Sequence, residues 1–280
     1  MSNTTQEYWD LNGTSLNQFC WNITTFGGSR YSVPPKRGDN QKYPNRHGRV
    51  FRPKKADSRV ITLQMWAIGI STDDEYVDDQ ELQFNDNWQA LRTLLFNLEE
   101  TMTLTRRWRL TLNGIPTIVE ASAECELASS LDLSMTGRTR GTFQVDLLLP
   151  DPFFYGDEIE NTIEPGETIE VYNPGDVAAY EDMSIRFDGE LWGPSLRNTT
   201  RDLEVWVKAN TLVQPSTYLD VNVKAFDAYK SFDNSTITGA IQHAGAKPWF
   251  VLWPGINEIK MESSGVSSGS ATLKFRPAYL

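Results

Sequence analysis

The sequence feature that most limits the fold is an apolar run that ends at two closely spaced prolines. Residues 141–158 read GTFQVDLLLPDPFFYGDE, and Phe143 to Leu149 have the composition of a strand that is buried at least at its end. Proline has no amide hydrogen for a sheet ladder and disfavours helical backbone in the residue before it. Pro150 and Pro152 therefore predict that the strand stops and that a stiff, extended connector follows, as at a domain boundary.

The charge distribution changes at the same place. Residues 1–150 carry 16 Lys and Arg against 18 Asp and Glu, whereas residues 151–280 carry 10 against 19. A chain of 280 residues has room for two ordinary domains. We therefore predict an N-terminal domain at 1–150 and a C-terminal domain at 151–280.

The overall composition excludes several classes of protein. A net charge of −11 argues against general binding of nucleic acid or of anionic membranes, and no apolar stretch is long enough for a membrane span. The first ten residues have neither the basic start nor the apolar core of a signal peptide. Cys20 and Cys125 are too few for a disulfide scaffold, so we expect reduced thiols and synthesis in the cytosol.

The first half of the sequence predicts strands and one amphipathic helix. Alternating apolar and polar residues in Arg59–Ile70 indicate a half-buried strand, and Asn113-Gly114 between apolar residues indicates a β-hairpin. Between them we expect a helix that Asp86 caps. Its apolar face would hold Trp88, Leu91, Leu94, Leu95 and Leu98.

The second half predicts a two-sheet antiparallel β-sandwich. Short segments with period-two alternation follow one another between Pro-Gly and Asp-Gly turns, and no helical period of useful length interrupts them. These segments lie in 167–176, 181–191, 201–210, 217–232, 249–263 and 270–280.

Two oppositely charged segments lie in the first half. Residues 30–59 contain ten basic and two acidic residues, and they predict either an exposed loop between two strands or a basic arm that binds phosphate or an acidic neighbour. Residues 73–86 contain seven acidic residues and no basic one. A calcium loop is disfavoured there because the spacing lacks the glycine and terminal glutamate of an EF-hand.

Catalytic chemistry has no recognisable constellation in the sequence. His47 and His243 are assigned to different domains and have no metal-ligand companion at helical or strand spacing. No nucleophile elbow, paired CxxC motif or phosphate-binding glycine loop occurs. We therefore predict a non-enzymatic protein without a cofactor or metal.

Four tryptophans in the second half leave two interpretations open. Trp192, Trp206, Trp249 and Trp253 either pack in a core or interface, or stack on sugar rings. Trp206 alternates away from the apolar face of its strand, whereas Trp249 and Trp253 flank an apolar strand and are expected in the core.

In combination, several segments make the chain resemble the distal tail protein family of long-tailed, non-contractile bacteriophages. They are RVITLQMWAIGI with its acidic turn, the helix NWQALRTLLFNLEE, RRWRLTL, the junction FQVDLLLPDPFFYGD, VYNPGDVAAYEDMSIRFDG, and the ending WFVLWPGINEIKMES…ATLKFRPAYL. The resemblance spans nearly the whole chain. The long basic loop 30–59 departs from it and looks like an actinobacteriophage variant.

This resemblance implies a mainly β structural protein of the virion. A ring-forming N-terminal domain would close into a hexamer at the end of the tail tube and continue its DNA channel, and a galectin-like or carbohydrate-module-like sandwich would follow. The implied partners are the tail tube protein, the tape measure protein and the tail-tip proteins that mediate host attachment. The protein would be assembled in the cytoplasm of the bacterial host and carried at the tail tip, without sequence-specific nucleic-acid binding or membrane insertion.

The charged segments are our candidates for the ring interface, since a head-to-tail ring needs two different complementary patches. The predicted basic patch is Arg46, Arg49, Arg52, Lys54 and Lys55, and the predicted acidic patch is Asp73, Asp74, Glu75, Asp78 and Asp79. An alternative function is that of a carbohydrate-binding adhesin that recognises host surface glycans through the sandwich. Trp192 and Trp206 are its candidate stacking residues.

Overall fold

The computed structural model describes most of the chain. The described residues are 7–24, 31–38, 55–96 except 74 and 76, 101–179 except 113, 183–207, 212–213, 218–230 except 224 and 226, 239, 241–244, 250–264 and 268–280. They form two compact units, one of residues up to Phe154 together with Leu280, the other of Tyr155–Tyr279. The predicted boundary at 150/151 falls just before this division.

The first unit is built on one antiparallel sheet. Its strands follow the order β2-β1-β7-β8-β10-β6-β3, with β9 pairing on β10 and a separate two-stranded ladder of β4 and β5. The elements are β1 (Tyr8–Leu11), β2 (Thr14–Ser15), β3 (Trp21–Ile23), β4 (Lys36–Arg37), β5 (Lys55–Ala56), β6 (Arg59–Ile68), α1 (Gln80–Leu95), β7 (Met102–Leu112), β8 (Ile115–Leu127), β9 (Ser134–Met135), β10 (Arg140–Leu149) and β11 (Phe154–Tyr155).

The strand before the prolines lies in the interior of this sheet. β10 pairs with β6 along its whole length, from Arg140 opposite Ile68 to Leu149 opposite Arg59. Alternate residues of both strands are buried, and β10 ends at Leu149, directly before Pro150. Since proline cannot extend the ladder, the predicted end of the strand is confirmed.

The single helix packs on this sheet but begins earlier than the sequence suggested. The N-cap is Asp79, whose carboxylate accepts a hydrogen bond from the Leu82 amide at 2.9 Å, so the expectation that Asp86 caps the helix is wrong. Asp86 lies exposed within the helix. The earlier start adds about two turns, and Phe84, which lies in them, is buried.

The helix is anchored at the end of β6. Asn87 is 5% exposed, and its amide donates to the carbonyl oxygens of Ile68 and Ile70, both at 2.8 Å. A Cβ at Gly69 would lie 1.9 Å from the Gln80 carbonyl oxygen, so only glycine allows this close approach of the helix start.

The second unit is an antiparallel sandwich of two five-stranded sheets. One sheet has the order β12-β23-β14-β19-β20 and the other β13-β22-β16-β17-β21, while β15 and β18 pair separately. The strands are β12 (Ile159–Ile163), β13 (Thr168–Asn173), β14 (Ser184–Asp188), β15 (Leu191–Trp192), β16 (Ser195–Asn198), β17 (Leu203–Val207), β18 (Leu212–Val213), β19 (Tyr218–Asn222), β20 (Asp227–Lys230), β21 (Ile241–Ala244), β22 (Gly255–Glu262), β23 (Ser270–Phe275) and β24 (Ala278–Tyr279).

One continuous hydrophobic core lies between these two sheets. Phe187 and Leu273 from one sheet and Val205 and Ile259 from the other all have zero exposure. The predicted fold class, mainly β with one helix and a C-terminal sandwich, is therefore confirmed. The last predicted strand is in fact two, because β23 stops at Phe275 before Pro277 and β24 follows.

Candidate functional site

The predicted basic patch lies mostly outside the described residues. Four of its residues are not among the described ones: Arg46, Arg49, Arg52 and Lys54. Lys55 is described and is exposed in β5. Lys55 pairs across the ladder with Arg37 of β4, which is exposed as well. The pairing of β4 with β5 thus joins the two described parts of the basic segment 30–59, and Arg37 and Lys55 are exposed cations on this ladder.

The predicted acidic patch is exposed and precedes the helix. Asp73, Glu75 and Asp78 are exposed, Asp74 lies outside the described residues, and Asp79 is the helix N-cap. Acidic residues at this end also interact favourably with the helix dipole. Within the described residues no ion pair joins this patch to Lys55.

A long hairpin in the first unit presents apolar side chains to solvent. β7 and β8 pair from Met102 opposite Cys125 to Leu112 opposite Ile115, which confirms the predicted Asn-Gly hairpin. Among the described residues, β1 pairs with β7 over Leu104–Arg107, and the pairing of β7 with β8 continues beyond that register. Near its tip Ile115 and Ile118 are 66% and 69% exposed. We call Trp108–Val119 the hairpin arm.

A buried arginine holds the base of this arm. Arg106 of β7 is 8% exposed, forms an ion pair with Glu7, and lies 4.5 Å from the ring centroid of Trp108 and 5.5 Å from that of Trp9. It also donates to the Leu280 carbonyl oxygen at 3.2 Å. A cation between aromatic faces is held in one geometry, which fixes the direction of the arm.

In the second unit, a polar cleft of about 420 Å³ surrounds Trp206. A cross-strand row crosses four strands of the sheet at this point: Glu262 of β22, Ser195 of β16, Trp206 of β17 and Gln242 of β21. The indole Nε1 of Trp206 donates to the Gln242 side-chain oxygen at 2.8 Å, which orients the ring. The cleft is lined by Gly193, Ser195, Glu204, Trp206, Val207, Gln242, Glu262, Ser263 and Ser264.

The other tryptophans of this unit lie elsewhere. Trp192 is 40% exposed and does not line the cleft, but its carbonyl oxygen accepts hydrogen bonds from the side chains of Ser263 and Ser264, which do. Trp253 is 44% exposed and stacks on Arg201, so the expectation that it lies in the core is wrong. Trp249 lies outside the described residues.

Three buried asparagines, which the sequence analysis did not identify, form hydrogen bonds around the turn that precedes β22. Asn257 has zero exposure; its oxygen accepts from the Trp253 amide and from the Asn198 side chain, and its nitrogen donates to the carbonyls of Trp253 and Gly255. Asn173 donates to the Leu252 carbonyl at 3.0 Å. These bonds fix the turn from which β22 begins, and Glu262 lies at the other end of β22. Polar residues inside an apolar segment are the only sequence signal of this network.

The described residues offer neither a metal site nor a membrane-spanning helix. Within the part of the chain that the structure describes, no group of three or more His, Cys, Asp or Glu side chains could hold a metal ion. Its one helix, α1, is too short and too polar to cross a bilayer. Cys20 and Cys125 are both free and buried, and burial raises the pKa of each thiol, that of Cys125 to about 12.

Comparison with solved structures relates this fold to phage proteins. The chain is similar to the SPP1 Dit (gp 19.1) protein, described as a paradigm of the hub adsorption apparatus in phages that infect Gram-positive bacteria. The two share 13% identity and a TM-score of 0.63 over 98% of this chain and 100% of that one. Chains of the phage P2 baseplate in its activated conformation give TM-scores of 0.37 with Ca, at 10% identity over 96% of this chain and 98% of that one, and 0.35 with Sr, at 12% identity over the same shares. No protein-family model and no curated protein matches. The likeness to SPP1 Dit establishes a shared fold.

Proposed function

We propose that the protein is a structural, non-catalytic component of a bacteriophage tail tip, the hub that joins the tail tube to the host-adhesion apparatus. The observation that carries this proposal is the likeness to SPP1 Dit, because it covers nearly all of both chains and therefore both units. A shared fold alone does not fix a function. The surfaces of the first unit add the physical argument.

In this proposal the first unit assembles head to tail into a closed homohexameric ring. A head-to-tail contact joins two different patches, so one subunit must offer two complementary surfaces. The basic segment 30–59 and the exposed acids Asp73, Glu75 and Asp78 have opposite charge. The hairpin arm supplies the apolar part, since Ile115 and Ile118, 66% and 69% exposed, would each gain about 1–2 kcal/mol from full burial.

The ring would continue the DNA channel and contact the tail tube, tape measure and tail-tip proteins. A net charge of −11 supports this use, because a surface of the same sign as DNA lets the polymer pass without adhering. Residence in the virion tail and assembly in the host cytoplasm are parts of the same proposal.

A second candidate function, carbohydrate binding by the sandwich, is favoured by a separate observation. Trp206 lies in a polar cleft of about 420 Å³, which is within the range of small-ligand sites. The two functions are compatible, because the cleft belongs to the second unit and the proposed ring surfaces to the first.

A charge-swap experiment tests the ring. One variant carries Arg49, Arg52, Lys54 and Lys55→Glu, a second carries Asp73, Asp74, Glu75 and Asp78→Lys, and a third combines both sets. Asp79 is left unchanged because it caps α1. Light scattering and negative-stain images should give a ring for the parent protein, monomers for each single set, and a restored ring for the combined variant.

The combined variant is the matched control, since it carries every substitution of the two dissociated ones. Rings in both single-set variants would contradict the charge-pair interface, but they would not contradict the ring itself. Monomers for the unmodified protein at high concentration, together with its absence from purified virions, would contradict the hub function.

A further inference from the structure

The cleft around Trp206 is preorganised for a flat ligand with polar edges. Trp206 is half-buried, and its ring is oriented by the hydrogen bond to Gln242. Because that bond already exists in the free protein, binding would not have to restrain the indole again. The ring offers an apolar π-face in a cleft whose other side chains are almost all polar.

The polar lining of the cleft is rich in hydrogen-bond acceptors and hydroxyls. Glu204 and Glu262 supply carboxylates, and Ser263 and Ser264 supply hydroxyls at the loop side. Both serines donate to the Trp192 carbonyl, at 3.0 and 2.8 Å, so their remaining lone pairs are oriented by the fold. An apolar platform beside hydroxyls and carboxylates matches a ring with one apolar face and a rim of hydroxyl donors, which is the chemistry of a sugar.

The negative charge of the side chains that line the cleft favours uncharged sugars over anionic ones. Among the described residues that line the cleft, Glu204 and Glu262 carry charge and none is basic. Hydrogen bonding to Lys260, together with the charges of Lys260 and Arg197, lowers the pKa of Glu262, so this carboxylate is ionised at neutral pH. Among the described residues, the two cations that act on Glu262 are already engaged, Lys260 with Glu262 itself and Arg197 with Asp202 at 2.6 Å. An anionic ligand would therefore meet two carboxylates and would have to compete with carboxylates for these cations.

We infer that the Trp206 cleft binds an uncharged sugar ring of a bacterial surface glycan and rejects anionic saccharides and phosphate-bearing polymers. This inference rests on the carbohydrate-binding candidate and not on the ring. Trp206 is the stacking platform, Glu204 and Glu262 accept hydrogen bonds from hydroxyls and supply the rejection of anions, and Gln242 positions the indole. The backbone carbonyl of Trp192 holds the side chains of Ser263 and Ser264 in place.

The test uses the full-length protein and defined oligosaccharides. Binding to neutral hexose and N-acetylhexosamine oligomers, to uronic-acid oligomers and to glycerol-phosphate oligomers is measured by a glycan array and then by titration. We expect saturable binding to at least one neutral series and at least about tenfold weaker binding to both anionic series. Trp206→Ala should weaken neutral binding about tenfold, on the scale of an aromatic contact.

Matched variants separate a binding role from a folding role. Trp253→Ala removes another exposed tryptophan of the same unit that does not line the cleft, so it should leave affinity unchanged. Glu204→Gln with Glu262→Gln keeps the shape of both side chains and removes their charge. This pair should raise the affinity for the anionic series about fivefold or more, with little change for neutral sugars.

Each contrary result of these binding measurements contradicts a different part of the inference. Equal loss of neutral binding in the Trp206 and Trp253 variants, with unchanged thermal unfolding, would overturn the assignment of the cleft. Tighter binding of an anionic series by the parent protein would overturn the charge selection. The absence of binding to every series would remove carbohydrate binding altogether, whereas a ring seen by light scattering in the same sample would leave the hub function standing.

Discussion

The two units differ in how many of their large apolar side chains are exposed to solvent. The sandwich encloses Phe187, Val205, Phe250, Ile259 and Leu273 between two sheets, all at zero exposure. The first unit also has a core, but it leaves many large apolar side chains in solvent. Among the described residues these are Tyr8, Phe19, Tyr31, Val33, Val60, Leu82, Phe96, Ile115, Ile118, Met135 and Leu280, against Trp192, Tyr229, Trp253 and Ile256 in the sandwich.

This difference indicates which unit depends on partners. Scattered exposed apolar residues are normal, but a projecting arm that ends in Ile115 and Ile118 is typical of an interaction surface.

The largest expected effect tests whether the sandwich is self-sufficient. Phe187 lies in β14 between Leu219 and Ala271 of the neighbouring strands and has zero exposure. Phe187→Ala should lower the free energy of unfolding of the second unit by about 3–5 kcal/mol, because it removes a large core side chain and leaves a cavity. Hydrogen exchange along a urea series, read by mass spectrometry, assigns the loss to residues 155–279.

The matched variant in the first unit is Phe143→Ala. Phe143 is 6% exposed and makes an edge-to-face contact with Trp88, with ring centroids 5.0 Å apart. This substitution should expose the first unit to exchange and leave the second protected. Loss of protection in both units by either variant would mean that they unfold as one, and the contrast between them would then be wrong.

Some of these features were predictable because a local rule was enough. The end of β10 follows from Pro150, and the hairpin follows from Asn113-Gly114 between apolar residues. The outward position of Trp206 follows from period-two alternation. In each case the answer depends on residues that are adjacent in the sequence.

Other features depend on contacts between distant residues. Asp79, Asp86 and their acidic neighbours are equivalent as caps in sequence terms, and the choice is made by the packing of Phe84 on the sheet. The Asn198–Asn257 bond joins residues 59 positions apart. The cleft itself needs four strands and the 263–264 loop together, so Trp206 could be proposed from sequence but Glu204, Gln242 and Glu262 could not.

An intermediate effect is expected at the hairpin arm. Ile115→Lys with Ile118→Lys should leave the unfolding of the isolated protein nearly unchanged, because both side chains are already exposed. The same pair should shift the ring toward monomer, since it places two charges in an interface that would otherwise bury apolar surface. Sedimentation velocity measures the shift. Ile256→Lys, at an exposed isoleucine of the sandwich, is the control and should keep the ring. Equal dissociation by both changes would show that the arm has no special role.

The smallest expected effect concerns alkaline pH and separates the units by their titrating groups. Burial, with a further contribution from the Glu126 charge, raises the pKa of Cys125 from 9.0 to about 12. Because the unfolded thiol ionises near pH 9 and the folded one does not, its stabilising contribution is complete below pH 9 and is lost as pH rises toward 12. In the second unit, burial raises the pKa of Tyr279 from 10.0 to about 12, so the corresponding loss starts only above pH 10.

Between pH 8 and pH 10, therefore, the first unit should lose more stability than the second, by about 1 kcal/mol at the upper end. Urea unfolding in a phosphine reductant, followed by hydrogen exchange in each unit, measures this loss. Cys125→Ala should be less stable than the parent protein at pH 8 because it leaves a small cavity, but the difference should narrow by pH 10 because the variant lacks this titrating thiol. An equal pH slope in parent and variant would mean that the Cys125 thiol is reached by water, and the close packing of β8 at this position would then have to be revised.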